Sequence, residues 1–207
     1  MTPAQAALAL RPVSRETEER LEAFVAMLLK WNAAINLIGK ATVETVWSRH
    51  IVDSLQLLDL TDAAEGHWAD LGSGGGLPGL VLAIAARDER PGLRFTLVES
   101  DARKAAFLAT ASRSLAPQVR VLAQRVEAAP PLQADVLSAR ALAPLPALLE
   151  MSARHLSPQG LALLPKGANW RAEVTAALES RRLSHEIQPS LTDPAAVVLK
   201  IRGISRV

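Results

Sequence analysis

The chain has no cysteine and no tyrosine, and phenylalanine occurs only 3 times. Without cysteine there can be no disulfide, no thiolate nucleophile and no Cys-ligated metal. So few aromatics exclude a broad platform on which single-stranded bases could stack. No run of about 18 apolar residues occurs, so no membrane span is expected. The N-terminus "MTPAQAALALRPVSRETEER" has only a short apolar run, with no basic region ahead of it. It reads as no signal peptide, and the expected location is cytoplasmic. The four histidines, at 50, 67, 155 and 185, show no ligand spacing, so no metal site is expected. An excess of one charge is also lacking. Lys and Arg number 23 against 21 Asp and Glu, a net charge of +2 that permits nucleic-acid binding without demanding it.

What is present is an ordinary globular composition, 49% hydrophobic and 21% charged over 207 residues. That suits one large domain, or one domain with a small extension. The pattern changes once, near residue 65. Residues 1–64 read as a helical segment packed on the sheet of an α/β domain that spans 65–207. In the first part, "SRETEERLEAFVAMLLKWNAAINLIG" carries Leu21, Phe24, Val25, Leu28, Asn32 and Ile35 at nearly helical spacing. Ser14 can cap this helix and Gly39 closes it. A second helix is expected over "TVETVWSRHIVDSLQLLDL", with Trp47, Ile51, Leu55 and Leu58 as its stripe. After residue 65, strands alternate with helices and two consecutive strands end the chain. This predicts a Rossmann-like, mostly parallel seven-stranded sheet with helices on both faces and an antiparallel edge.

The stretch "ADLGSGGGLPG", residues 69–79, lies between the first strand and the first helix. Open α/β sheets bind ligands there. A Walker loop is excluded because Leu80 and Val81 stand after Gly79 where Lys and Ser or Thr are required. The spacing Gly74-x-Gly76-x-x-Gly79 also matches a dinucleotide fingerprint, but in so glycine-rich a loop the match is weak. The alternative is S-adenosylmethionine, whose loop is G-x-G-x-G behind an acid, as in Asp70, Gly72, Gly74 and Gly76. Asp70 would meet a sulfonium or ammonium cation but repel a pyrophosphate. Glu99, at the end of the second strand, would accept hydrogen bonds from ribose hydroxyls. A dehydrogenase would also need a substrate domain that the chain has no room for.

Seven stretches then stand in a telling order: "WNAAINL" (31–37), "RHIVDSL" (49–55), "DLGSGGGLPG" (70–79), "TLVES" (96–100), "RVE" (125–127), "SARAL" (138–142) and "LPKG" (164–167). By these the chain resembles the glucose-inhibited division protein B family of bacterial ribosomal RNA methyltransferases, over about residues 15 to 202. The resemblance implies a Rossmann-like class I fold and methyl transfer from S-adenosylmethionine to N7 of one guanosine in small-subunit ribosomal RNA. It implies that Gly72 and Leu77 hold the cofactor, that Val126 and Glu127 flank its adenine, and that Arg140 lies near its methionine end.

The absences agree with that chemistry. Methylating carbon 5 of a pyrimidine needs a cysteine, and methylating an exocyclic amine typically uses an Asn/Asp-Pro-Pro-Tyr/Phe loop. Guanine N7 is an exposed acceptor with no proton to lose, so no catalytic base is expected. Arg140 and Lys166 come just after the fourth and fifth strands, and either can take a phosphate or the guanine oxygen. Alternatively, Arg140 pairs with Asp70 or Glu127, and Lys166 is a solvated loop lysine. His50 and Asp53 are spaced to touch each other, and a histidine so held can orient a base or merely cap the helix packing. Asn36 can bond the glycine loop or contact RNA. The tryptophans at 31, 47, 68 and 170 read as core or interface residues, with Trp170 the best candidate among them for stacking a base. The expected partner is small-subunit RNA, free or in a ribosomal particle, and the expected state is a monomer.

Overall fold

The computed structural model describes residues 1–206, so Val207 of the expected 65–207 span lies outside the described residues. Seven strands, β1 (Glu65–Leu71), β2 (Gly92–Glu99), β3 (Val119–Ala123), β4 (Ala134–Ala139), β5 (Leu156–Lys166), β6 (Arg181–Pro189) and β7 (Val197–Arg206), form one sheet in the order β3-β2-β1-β4-β5-β7-β6. β1 to β5 pair in parallel, while β7 runs antiparallel to both β5 and β6. The antiparallel strand therefore lies one place in from the edge, and β6 forms the edge itself. Helices α4 (Gly79–Glu89), α5 (Ala102–Leu115), α6 (Leu145–His155) and α7 (Trp170–Leu178) connect the strands.

The strand period of two divides the core between the two faces. Leu161 and Leu163 point into one cluster with α4 and α5, whereas Ala162 and Leu164 join the other with α6. Helix α4 is buried from Gly79 to Ala86 because it has neighbours on both sides. The sheet lies beneath it, and the N-terminal segment covers it.

That segment starts with α1 (Pro3–Leu8) and α2 (Arg15–Ile35). Ser14 caps α2 as expected, its hydroxyl accepting from the Thr17 amide. The helix ends at Asn36, which holds a left-handed conformation (φ 51°), not at Gly39. Asparagine tolerates that conformation better than most residues. The second expected helix is not regular. Lys40–Thr42 is a 3-10 turn, Trp47–Val52 a π-helical turn, Asp53–Leu55 a single α-helical turn (α3), and Leu58–Leu60 another 3-10 turn. Ile51, Leu55 and Leu58 are fully buried as their spacing predicts. The departure comes from the opposite face, where Arg49, His50 and Asp53 are tied to the end of β4 and to the β6–β7 loop.

Phe24, Leu28, Ile51 and Leu55 share one hydrophobic cluster with Leu80 and Phe107, so the segment and the sheet bury a common core. Arg11 fastens its start, donating to Glu89 Oε1 at 2.6 Å and to Asp59 Oδ1 at 2.9 Å. Leu28 sits beneath the glycine loop, with Cδ1 3.2 Å from where a Cβ on Gly75 would stand. Leu28→Ala is expected to destabilise the fold by about 2–5 kcal/mol in a denaturant titration, and a loss of less than about 1 kcal/mol would show that α2 does not support the loop.

Candidate functional site

The glycine loop is pinned to the end of β2. The amides of Gly72 and Ser73 both donate to the Val98 carbonyl, at 2.9 and 3.0 Å. The Gly74 amide donates to Glu99 Oε2 at 2.8 Å, and the Asp101 amide to Glu99 Oε1 at 2.7 Å. Glu99 thus joins the loop to the start of α5, where Asp101 caps the helix. Gly72 and Gly74 have φ of 67° and 54°, conformations that L side chains rarely adopt.

Asp70 lies under this loop with no exposed surface. One oxygen accepts from Ser138 at 2.6 Å and the other from the Gly79 amide at 3.2 Å. Ser138 in turn accepts from the buried Trp68 indole at 3.0 Å. Burial pushes the Asp70 carboxyl up to about 6, against the opposing pull of its hydrogen bonds to Ser138 and Gly79. The expectation that Asp70 meets the cofactor cation is therefore corrected. Both of its oxygens are turned to protein donors, and it is a strut beneath the loop.

Above the loop is a cavity of about 390 Å³, a normal size for a small-molecule site. Its lining includes Gly72, Gly74, Leu77, Glu99, Val126, Glu127 and Arg140, every expected cofactor residue except Asp70. Leu37, Lys104, Leu142 and Met151 also line it. Of these, Leu142 and Leu37 are within reach of the sequence, as parts of "SARAL" and "WNAAINL". Lys104 faces the cavity from the first turn of α5, and Leu37 comes from the N-terminal segment. The loop and Glu99 suit S-adenosylmethionine. The glycine backbone leaves the floor bare, and each Glu99 oxygen keeps a lone pair beyond its one backbone bond.

A second cavity of about 770 Å³ adjoins the first and shares Arg140, Ala141 and Leu142 with it. It contains His50 and Lys166 but not Asn36. Asn36 is at the end of α2, and the residue meeting the glycine loop is its neighbour Leu37, whose carbonyl lies 3.1 Å from a Cβ built on Gly75. Lys166 is no solvated lysine, since its side chain is only 8% exposed and bonds Glu173 at 2.8 Å. Arg140 pairs with neither Asp70 nor Glu127. It bonds Asp53 at 3.2 Å and His50 Nδ1 at 3.1 Å. His50 and Asp53 thus converge on Arg140 and not on each other. Burial, with the charges of Arg140 and Arg49, pushes the His50 imidazole down to about 4, so it is neutral near pH 7. Trp170 does not line this cavity, and its ring carries the Arg171 guanidinium 4.3 Å from the centroid.

A family model described as GidB, rRNA small subunit methyltransferase G, matches residues 17–196. The chain belongs to this family. Relatives called ribosomal RNA small subunit methyltransferase G include that of Cereibacter sphaeroides, 55% identical over 94% of both chains. The one from Gluconobacter oxydans is 48% identical over 94% of this chain and 98% of its own. Among solved structures, a TehB-like SAM-dependent methyltransferase from Corynebacterium glutamicum aligns over 90% of this chain and 97% of its own, with a TM-score of 0.56 at 16% identity. The mitomycin 7-O-methyltransferase MmcR aligns over 98% and 73%, with a TM-score of 0.59 at 18% identity. These last two likenesses establish the Rossmann-like methyltransferase fold. As a member of the rRNA small subunit methyltransferase G family, the chain is an S-adenosylmethionine-dependent enzyme.

The loop geometry and the buried carboxyl each make a testable prediction. A Cβ on Gly72 would lie 2.6 Å from Leu142 Cδ1, whereas one on Gly74 meets nothing nearer than 3.8 Å. Both alanine substitutions should lose about 1–2 kcal/mol of stability to backbone strain, while isothermal titration with S-adenosylmethionine should find Gly72→Ala the weaker binder; equal affinities would mean that Leu142 moves freely. Asp70 titrates higher when folded, so its contribution to stability is full below its ordinary value of 3.8 and lost as pH rises through about 6. Relative to Asp70→Asn, the wild type should lose on the order of 1–3 kcal/mol between about pH 4 and about pH 7, and parallel curves would contradict the buried, ionisable carboxyl.

Proposed function

We propose that the chain transfers the methyl group of S-adenosylmethionine to N7 of one guanosine in small-subunit ribosomal RNA. The smaller cavity takes the cofactor. The larger takes the guanine, with the RNA either free or in a ribosomal particle. Residues 1–64 and 65–207 act together, because each cavity is lined from both, by Leu37 in the smaller and by Arg49, His50 and Asp53 in the larger. On this reading the enzyme acts as a monomer in the cytoplasm.

One observation favours an acceptor with no proton to lose, as N7 of guanine is. The titratable groups of the larger cavity are committed to one another: Arg49 to Asp193, His50 and Asp53 to Arg140, and Lys166 to Glu173. None is poised to remove a proton. An acceptor that has a lone pair and no proton needs none, and guanine N7 is such an atom. The bound cofactor supplies an electrophilic methyl carbon on a sulfonium. The chain's own part is approach and orientation, which alone can lower a barrier by several kcal/mol. Glu99 orients the ribose end of the smaller cavity, Val126 and Glu127 flank the adenine, and Arg140 stands where the two cavities meet. Lys166, fixed by Glu173 and the Ala143 carbonyl, presents its charge at the far wall. A small-molecule acceptor would favour a closed pocket, but this cavity is rimmed by Arg49, Gly167 and Asn169, with Gly167 and Asn169 exposed.

The test is incubation with radiolabelled S-adenosylmethionine and small-subunit particles from a strain lacking the gene, with nuclease mapping of the labelled RNA. N7-methylguanosine at a single position is the expected product. Label on an exocyclic amine, a ribose or a small molecule would overturn the assignment.

A further inference from the structure

Arg140 stands immediately after β4 and lines both cavities. The next residue, Ala141, has a φ of 52°, so the chain turns sharply behind it. Nη1 of Arg140 donates to Asp53 Oδ2 at 3.2 Å and to the Arg49 carbonyl at 3.3 Å. Nη2 meets His50 Nδ1 at 3.1 Å. A guanidinium has only donors and keeps its proton throughout the accessible pH range. His50 Nδ1 must therefore present its lone pair. The ring proton then lies on Nε2, which faces Thr42 Oγ1 at 2.8 Å. The Ser54 hydroxyl, donating to the His50 carbonyl at 2.6 Å, fixes the backbone of this π-helical turn.

We infer that His50 is a positioning residue whose Nδ1, in the tautomer that the Arg140 donors dictate and Thr42 accommodates, holds the Arg140 guanidinium at the boundary between the cofactor cavity and the acceptor cavity. Its work is done toward the protein, since one ring nitrogen is committed to Arg140 and the other to Thr42. The carboxylate of Asp53 supplies charge to Arg140. His50 supplies direction, because it fixes the second nitrogen of the guanidinium plane. A cation aimed from that plane suits a carboxylate at the methionine end of the cofactor. This inference rests on the proposed reading of the two cavities.

Three substitutions separate the positioning role from simple packing. His50→Asn keeps an acceptor oxygen near the place of Nδ1. His50→Gln puts its amide near the place of Nε2 and gives up the bond to Arg140. His50→Leu removes both. S-adenosylmethionine affinity is measured by titration calorimetry, with circular dichroism melting on each variant and kcat and KM on RNA particles. The expected result is that His50→Asn stays within about twofold of wild type, while His50→Gln and His50→Leu bind the cofactor roughly five- to tenfold more weakly. The KM for RNA should change less than the cofactor affinity. Asn as weak as Leu, or all three equal to wild type, would overturn the role. So would a loss that tracks the melting temperature instead of the acceptor atom, and Thr42→Val gives a second check should a His50 variant fail to fold. If wild type itself bound no S-adenosylmethionine, the reading of the cavities would fall instead.

Discussion

The site depends on one buried carboxylate. Asp70 takes the Gly79 amide with one oxygen and the Ser138 hydroxyl with the other, so it joins the end of β1 to the start of α4 and to β4. The glycine loop is the span between the first two of these points. An apolar residue would offer neither bond. Gly79 approaches so closely that a Cβ there would lie 2.6 Å from the Asp70 Cβ. The burial that makes this strut stiff is also what raises its proton affinity. The loop can then expose bare backbone to a ligand because its own shape is held from beneath.

A second set of contacts ties the N-terminal segment to the chemistry. Asn32 Oδ1 accepts from the Ile38 amide at 2.8 Å, which shapes the turn that sets Leu37 against Gly75 of the glycine loop. His50 and Asp53 reach Arg140 at the end of β4, while Asp53 and Arg49 reach Thr192 and Asp193 between β6 and β7. The stretches 31–37 and 49–55 are thus walls of the two cavities as well as pieces of helix. Their residue types reflect that double duty. Ile51 and Leu55 fill the core, and the residues around them bond across to the sheet.

The sheet is readable from sequence because its signals are local. Alternating buried residues and glycine or proline punctuation mark the strands, and the seven expected strands are found. The cofactor wall is readable for a similar reason, since the ends of parallel strands gather at one edge whatever their side chains do. What escapes is set at long range. Nothing near His50 in the chain says that its partner is Arg140, 90 residues on. Asp70 is misjudged because sequence gives an acid's position but not which way it faces. Trp170 looks free to stack, yet its neighbour Arg171 lies on the ring. The irregular turns of 40–60 have helical periodicity on one face only, and the polar bonds that break the helix lie on the other.

The placement of β7 has a consequence for how the molecule is made. It pairs with β5 on one side and β6 on the other, yet it comes after both along the chain. As the polypeptide leaves the ribosome, β5 must wait with one row of amides and carbonyls unpaired. An open strand edge of this kind invites pairing with other chains. Closure comes when β7, paired with β6, docks on β5, and the same placement brings Thr192 and Asp193 within reach of Asp53 and Arg49. The last strand to emerge therefore both seals the sheet and completes the wall around the reacting groups. A nascent chain short of that strand would lack the finished acceptor cavity.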